Sequence, residues 1–258
     1  MILKRSSGMK LSVLMAMAVL TGCGGGGDGT PAQTGPTAEG VYGGTISGGT
    51  ANNAFRAVVL ENGDLWTLYG TSTAGTLAVA GLVQGSGSST NGSYTTSNAK
   101  DFGFSPALSA SITATYTSVP TISGSLTVGN TNATFSGGAI PGSTYTYNTP
   151  AVLSDVVGSW TLTSTDGTTG ISLVIASDGT FTASPPAPTA CVITGTVLPR
   201  PSGKNVFNTT STFGAGCGGQ TSTTGIGVVY PLSGGGSQVV FADINASRTA
   251  GDVSFGSR

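Results

Sequence analysis

From about residue 40 to the last residue, apolar and polar positions alternate with a period near two in short runs, and the runs are punctuated by Gly, Asn, Asp and Ser. That is the pattern of half-buried β-strands joined by tight turns. AFRAVVL (54 to 60) is followed by Asn62-Gly63 and then by DLWTLYG (64 to 70), which predicts a hairpin. Further runs lie near 40 to 48, 76 to 84, 92 to 97, 109 to 117, 121 to 128 and 132 to 137. A second series follows near 158 to 164, 170 to 176, 179 to 184, 190 to 198, 204 to 213, 224 to 230, 237 to 243 and 247 to 255. Each series of eight short strands suits an up-and-down antiparallel barrel, which leaves no open edge to aggregate. The stretch GSGSSTNGS (85 to 93) is the least regular part. The expected fold is therefore all-β, with two tandem antiparallel barrel-like units of about eight strands each.

The two series repeat one another. Gly40-Val41-Tyr42 opens the first and Gly158-Ser159-Trp160 the second; Asn62-Gly63 recurs as Asp178-Gly179 between GISLVIA (170 to 176) and TFTA (180 to 183). Both dipeptides suit a type I′ hairpin turn, whose two central residues need positive φ. Laying Asn62 on Asp178 sets Phe55 over Ile171, Ala57 over Leu173 and Val59 over Ile175, so the inward faces coincide. A shared series of this kind indicates duplication. The units run from 39 to 149 and from 151 to 258, with Asn148-Thr149-Pro150 as the seam. Arg56 alternates out of phase with Phe55, Ala57 and Val59 and is expected to face solvent.

The start of the chain reads differently. Lys4, Arg5 and Lys10 precede an apolar run from Leu11 to Leu20, the basic head and short apolar middle of a secretory signal peptide. At about ten residues the run is too short for a membrane span, which needs roughly 20. Leu20-Thr21-Gly22-Cys23 resembles the lipobox of bacterial lipoproteins, which implies cleavage after a signal peptide of residues 1 to 22 and lipid attachment at Cys23. Residue 24 is Gly rather than Asp, which by the same resemblance implies the outer membrane, with the protein lipid-anchored there. Residues 23 to 38 are rich in Gly, Thr, Pro and Ala and read as a linker with a reach of roughly 20 Å.

Composition narrows the partners. Beyond residue 22 the chain has six Lys plus Arg against ten Asp plus Glu, which argues against nucleic acid. Cys191 and Cys217 are most simply a disulfide in an exported protein. A metal or redox pair is the alternative, without CxxC spacing and without a histidine in the chain. The same lack of histidine removes Ser-His-Asp and Cys-His catalysis, and no GxSxG, P-loop or calcium-loop motif occurs. Glu61, Asp64, Asp166 and Asp178 fall at turn positions, where Asp and Asn serve turn geometry. No enzyme, no cofactor and no metal site is expected.

A transmembrane barrel is the rival architecture, but it asks for strands of about 9 to 11 residues and aromatic girdles. Gly158-Ser159-Trp160 resembles the Gly-x-Trp opening of lipocalins, in which the tryptophan plugs the closed end of the barrel. The layout of lipobox, glycine run and paired barrel-like units is similar to that of Gram-negative surface lipoproteins typified by factor H-binding protein and the transferrin-binding lipoprotein. That resemblance implies a non-enzymatic protein displaying two barrels to a protein partner at the membrane or cell surface. The alternative is a periplasmic, lipid-anchored carrier of a small apolar ligand, to which small inward residues in TLAVAGLVQG (76 to 85) would give room.

Overall fold

The computed structural model describes residues 37 to 48, 54 to 117, 120 to 219 and 221 to 258. The expected signal peptide, Cys23 and nearly all of the expected linker lie outside them. Ala38, the last residue of that linker, is fully buried.

The first half contains β1 (Gly40–Ser47), β2 (Ala54–Val59), β3 (Asp64–Thr73), β4 (Thr76–Ser86), β5 (Ser88–Thr90), β6 (Ser93–Asp101), β7 (Leu108–Tyr116), β8 (Ile122–Val128) and β9 (Thr131–Gly138). They form an antiparallel sheet in the order β4-β3-β2-β1-β9-β8-β7-β6-β5. Pairing of Val83 with Asp101 and of Gln84 with Lys100 joins β4 to β6 and closes an eight-stranded ring. The short β5 sits outside that ring on β6, in the Gly-Ser-rich stretch that the sequence pattern left irregular. The second half, after a 3₁₀ turn at Leu153–Asp155, contains β10 (Gly158–Ser164), β11 (Thr169–Ile175), β12 (Thr180–Ser184), β13 (Ile193–Pro199), β14 (Phe207–Phe213), β15 (Ser222–Pro231), β16 (Ser237–Ile244) and β17 (Gly251–Ser257). These close in chain order into a second barrel.

The likeness of the two halves extends to individual hydrogen bonds. Tyr42 Oη donates to the Ala38 carbonyl at 2.8 Å, and Trp160 Nε1 donates to the Val156 carbonyl at 2.7 Å, each four residues back at the base of its barrel. The two hairpins also agree: Leu60 N donates to Asp64 O and Ala176 N to Thr180 O, both at 2.8 Å. Neither turn is the expected type I′. Gly63 and Gly179 take positive φ, 84° and 83°, while Asn62 and Asp178 do not. The loops therefore hold three residues, with glycine supplying the left-handed position. Side-chain acceptance explains the difference, since Asn62 Oδ1 and Asp178 Oδ1 each take the backbone N–H two residues on, from Asp64 and Thr180.

Phe55, Ala57 and Val59 enter the core of the first barrel; Ile171, Leu173 and Ile175 enter that of the second. A third apolar core lies between the barrels, formed by Val58, Trp66, Leu68, Leu77, Val79 and Leu82 of the first against Ile226, Val228, Tyr230, Val240, Ala242 and Val253 of the second. This core corrects the reading of Arg56. The outward face of β2 meets the second barrel rather than water, so Arg56 is only 3% exposed. Its guanidinium lies over the Tyr230 ring at 4.3 Å and donates to Gln238 and to the Gly75 carbonyl. The expectation for TLAVAGLVQG also changes. Leu77, Val79 and Leu82 pack into the seam between barrels, while Ala78 and Ala80 are exposed, so its small residues open no space inside the first barrel.

Candidate functional site: the open end of the second barrel

Along each strand of the second barrel the inward residues run from a sealed base to an open mouth. Trp160, Ile175, Val197, Phe207 and Val239 are buried toward the base. The Arg258 guanidinium stacks 3.8 Å from the Trp160 ring centroid and donates to the carbonyls of Val157 and Asp155, which closes that end with a cation–π contact. Above this base lies a cavity of about 500 Å³. Leu162, Leu173, Phe181, Val197 and Phe241 make its apolar floor and walls, while Ser164, Thr209, Ser211, Thr223, Asp243 and Asp252 line its upper part. The volume falls in the range of small-molecule sites, which combine an apolar lining with a few placed polar groups.

Three of these polar groups, Thr209, Asp243 and Asp252, belong to one rung of the barrel wall. Thr209 of β14 pairs with Gly225 of β15, Gly225 with Asp243 of β16, and Asp243 with Asp252 of β17. Gly225 lets Thr209 and Asp243 meet over it: a Cβ there would stand 2.6 Å from Asp243 Oδ1 and 1.9 Å from the Ala242 carbonyl. Thr209 Oγ1 accordingly donates to Asp243 Oδ1. Ser164 Oγ donates to Asp252 Oδ2 and Thr165 Oγ1 to Asp252 Oδ1, both at 2.6 Å, so the second carboxylate is held at both oxygens. Burial, helped by the neighbouring charge of Asp252, pushes the Asp243 carboxyl up to about 6 against the hydrogen bond from Thr209. Asp166, on the turn at the mouth, goes the other way. Burial would raise it, yet hydrogen bonds from Thr168 and Ser164 hold it below the usual carboxylate range.

Among the described residues the interior of the first barrel holds no counterpart to this cup. Tyr42, Phe55, Tyr69, Tyr94, Tyr116 and Phe135 point into its core, and the space left among Phe55, Tyr94 and Phe135 is about 20 Å³. A smaller hollow of about 240 Å³ lies at its rim beside Tyr69, Asp101, Phe104 and Leu108. There the Tyr69 hydroxyl donates to Asp101 at 2.9 Å, and burial raises the Asp101 carboxyl.

Cys191 and Cys217 are joined by a disulfide at the mouth of the large cavity. Of the turn carboxylates, Glu61 pairs with Arg200 at 2.8 Å, Asp64 accepts from Asn62 at 2.8 Å, Asp178 binds its own turn, and only Asp166 borders the cavity. Asp243 and Asp252 were missed by motif spacing. The signal that finds them is strand phase: in QVVFADI (238 to 244) Asp243 follows Val239 and Phe241 on the inward face.

No protein-family model matches the chain, and no curated protein matches it. Among solved structures it is similar to a mutant of the vaccine antigen transferrin-binding protein B from Haemophilus parasuis Hp5, at 7% sequence identity and a TM-score of 0.24, over 80% of this chain and 65% of that chain. The chain thus spans about 65% of the length of the structure that it matches.

Proposed function

We propose that this chain is an exported binding protein without catalytic function, anchored by lipid at Cys23 to the outer membrane, whose second barrel takes up a small ligand of largely apolar surface. The observation that carries this reading is the cavity of about 500 Å³, sealed at the Trp160 end and open at the disulfide end. It favours the carrier alternative, because a ligand needs an interior that side chains do not fill, and among the described residues side chains fill that of the first barrel. The packed first barrel then serves as a support, fixed to the second through their shared apolar core. Titration of the full-length protein in detergent with the neutral fluorophore N-phenyl-1-naphthylamine tests the reading. Saturable one-to-one uptake that Ala183→Trp abolishes is expected, since Ala183 lines the cavity. Uptake indifferent to Ala183→Trp would reject it.

The anchor is tested separately. Cys23→Ala is expected to abolish incorporation of radiolabelled palmitate, and unchanged labelling would remove the anchor from the proposal. Display to a protein partner is the second reading. It is favoured by Phe104 and Leu108, 38% and 37% exposed at the rim of the first barrel.

A further inference from the structure

We propose that the second barrel selects ligands bearing a cationic nitrogen on an apolar body, with the nitrogen at Asp243 and Asp252 and the body against Leu162, Phe181 and Phe241. The inference rests on the cavity being a ligand site and adds the chemistry of the ligand.

Four observations carry it. First, Asp243 and Asp252 are direct cross-strand partners on the inner wall, so two carboxylates stand side by side facing one space. Like charges in that relation repel, and a bound cation relieves the repulsion. Second, no side chain among the described residues supplies the cation. Among the described residues Arg56 is held by Gln238, Lys100 by the Arg248 carbonyl, Arg200 by Glu61, Lys204 by Glu39, Arg248 by the Gln84 carbonyl and Arg258 by Val157. The groups that face Asp243 from the adjoining strands are Thr209 and Asp252, with Asp166 farther out at the mouth.

Third, acceptors remain open. Thr209 occupies only Oδ1 of Asp243, and no described residue donates to Oδ2. Thr223, 5% exposed and lining the same cavity, has a hydroxyl with no hydrogen-bond partner among the described residues. An ammonium group brings three N–H donors and no acceptor. It therefore matches a wall of two carboxylates and a spare hydroxyl, whereas a ligand carboxylate would add a third negative charge to the pair. Fourth, the floor is apolar. A hard metal ion such as Ca²⁺ takes six to eight oxygen ligands, and among the described residues no three His, Cys, Asp or Glu side chains are placed to hold a metal.

Calorimetry on the full-length protein in detergent at pH 7.5 decides the matter, with octylammonium, 1-octanol, octanoate and Ca²⁺ as probes. Octylammonium is expected to bind at least ~10-fold more tightly than 1-octanol, and octanoate more weakly than either, since a factor of ten corresponds to about one charge-assisted hydrogen bond. Asp243→Asn is expected to lower octylammonium affinity by ~10-fold and to lower 1-octanol affinity by much less, and Asp252→Asn provides an independent second variant. Lowering the pH from 7 to 5 protonates Asp243 and is expected to cost octylammonium a further ~10-fold factor that Asp243→Asn no longer shows. Equal binding of the three organic probes would overturn the charge selection while leaving the cavity a ligand site. Failure of all three would overturn the ligand site as well. Ca²⁺ that binds and displaces octylammonium would replace the organic cation with a metal.

Discussion

Arg56 of β2 and Gln238 of β16, 182 positions apart, meet in the seam between the barrels, where Arg56 Nη1 donates to Gln238 Oε1 at 2.9 Å. The same Gln238 oxygen accepts from Leu77 N at 2.9 Å, and its Nε2 donates to Leu77 O at 2.8 Å. One amide thus accepts from a buried guanidinium and pairs both the N–H and the C=O of Leu77 in β4. Gln238→Leu strips the Leu77 N–H and C=O of their side-chain partner and leaves the Arg56 guanidinium with only the Gly75 carbonyl and the Tyr230 ring, and is expected to destabilise the protein by about 2–4 kcal/mol. Arg56→Met added to it should recover part of that loss, because no buried guanidinium is then left short of its Gln238 acceptor. Urea denaturation of the two single variants and the double variant measures the coupling. Additive losses would show that the pair acts independently.

The seam also makes one cooperative unit of the two barrels. With an apolar core shared across it, unfolding either barrel would expose the other's outer face to water. Near-UV circular dichroism and tryptophan fluorescence should therefore report a single transition, although Trp66 and Trp160 lie in different cores. Two separated transitions would refute the coupling.

Strand phase made most of this fold legible. Period-two alternation located the strands, and the match of Phe55, Ala57 and Val59 to Ile171, Leu173 and Ile175 located the two inner faces. The seam was harder to read because alternation assumes that one face meets water. In β2, β3, β15 and β16 both faces are covered, and Leu65 to Gly70, Ile226 to Tyr230 and Gln238 to Ala242 are buried without a break. A near-continuous apolar run is the trace left by a strand covered on both sides, and GIGVVY (225 to 230) and VVFA (239 to 242) carry it. Arg56 hid that trace in β2, since one charge in phase with the outer face looks like exposure. The acidic pair escaped for a different reason. Asp243 and Asp252 are not near one another in any motif; antiparallel register brings them together.

The paired base contacts predict unequal costs. Tyr42→Phe removes the donor to the Ala38 carbonyl and keeps the ring, so a loss of about 1 kcal/mol is expected. Trp160→Ala removes the base of the second barrel, the donor to Val156 and the surface under Arg258 together. A loss of about 3–5 kcal/mol is expected, as for other large core aromatics. Thermal denaturation of the two variants compares them, and a Trp160→Ala protein as stable as Tyr42→Phe would contradict the sealed base.

Asp243 makes stability depend on pH in an unusual direction. Its folded value near 6 lies above the ordinary carboxylate value of about 3.9, so between these the folded state holds the proton more tightly than the unfolded chain. Stability then falls as pH rises from about 4 to about 6 and is flat above. The raised Asp101 carboxyl acts in the same sense. Asp166, held low, adds stability above its unfolded value that is lost on further acidification. Asp243→Asn should raise stability at pH 7 by on the order of 1–2 kcal/mol and flatten the slope between pH 4 and 6. Urea midpoints across that range test it, and an unchanged slope would mean that the Asp243 proton plays no part.

Cys191 and Cys217, 26 residues apart, tie the segment before β13 to the turn between β14 and β15. Closing a loop of that length restricts the unfolded chain, so Cys191→Ser with Cys217→Ser is expected to lower stability by about 3 kcal/mol. The acidic pair lies on β16 and β17, whose register with their neighbours does not involve the bridge. Octylammonium affinity in the double variant should therefore stay within about twofold of the unsubstituted protein while the urea midpoint falls. A large loss of affinity at unchanged stability would instead show that the bridge shapes the mouth through which the ligand enters.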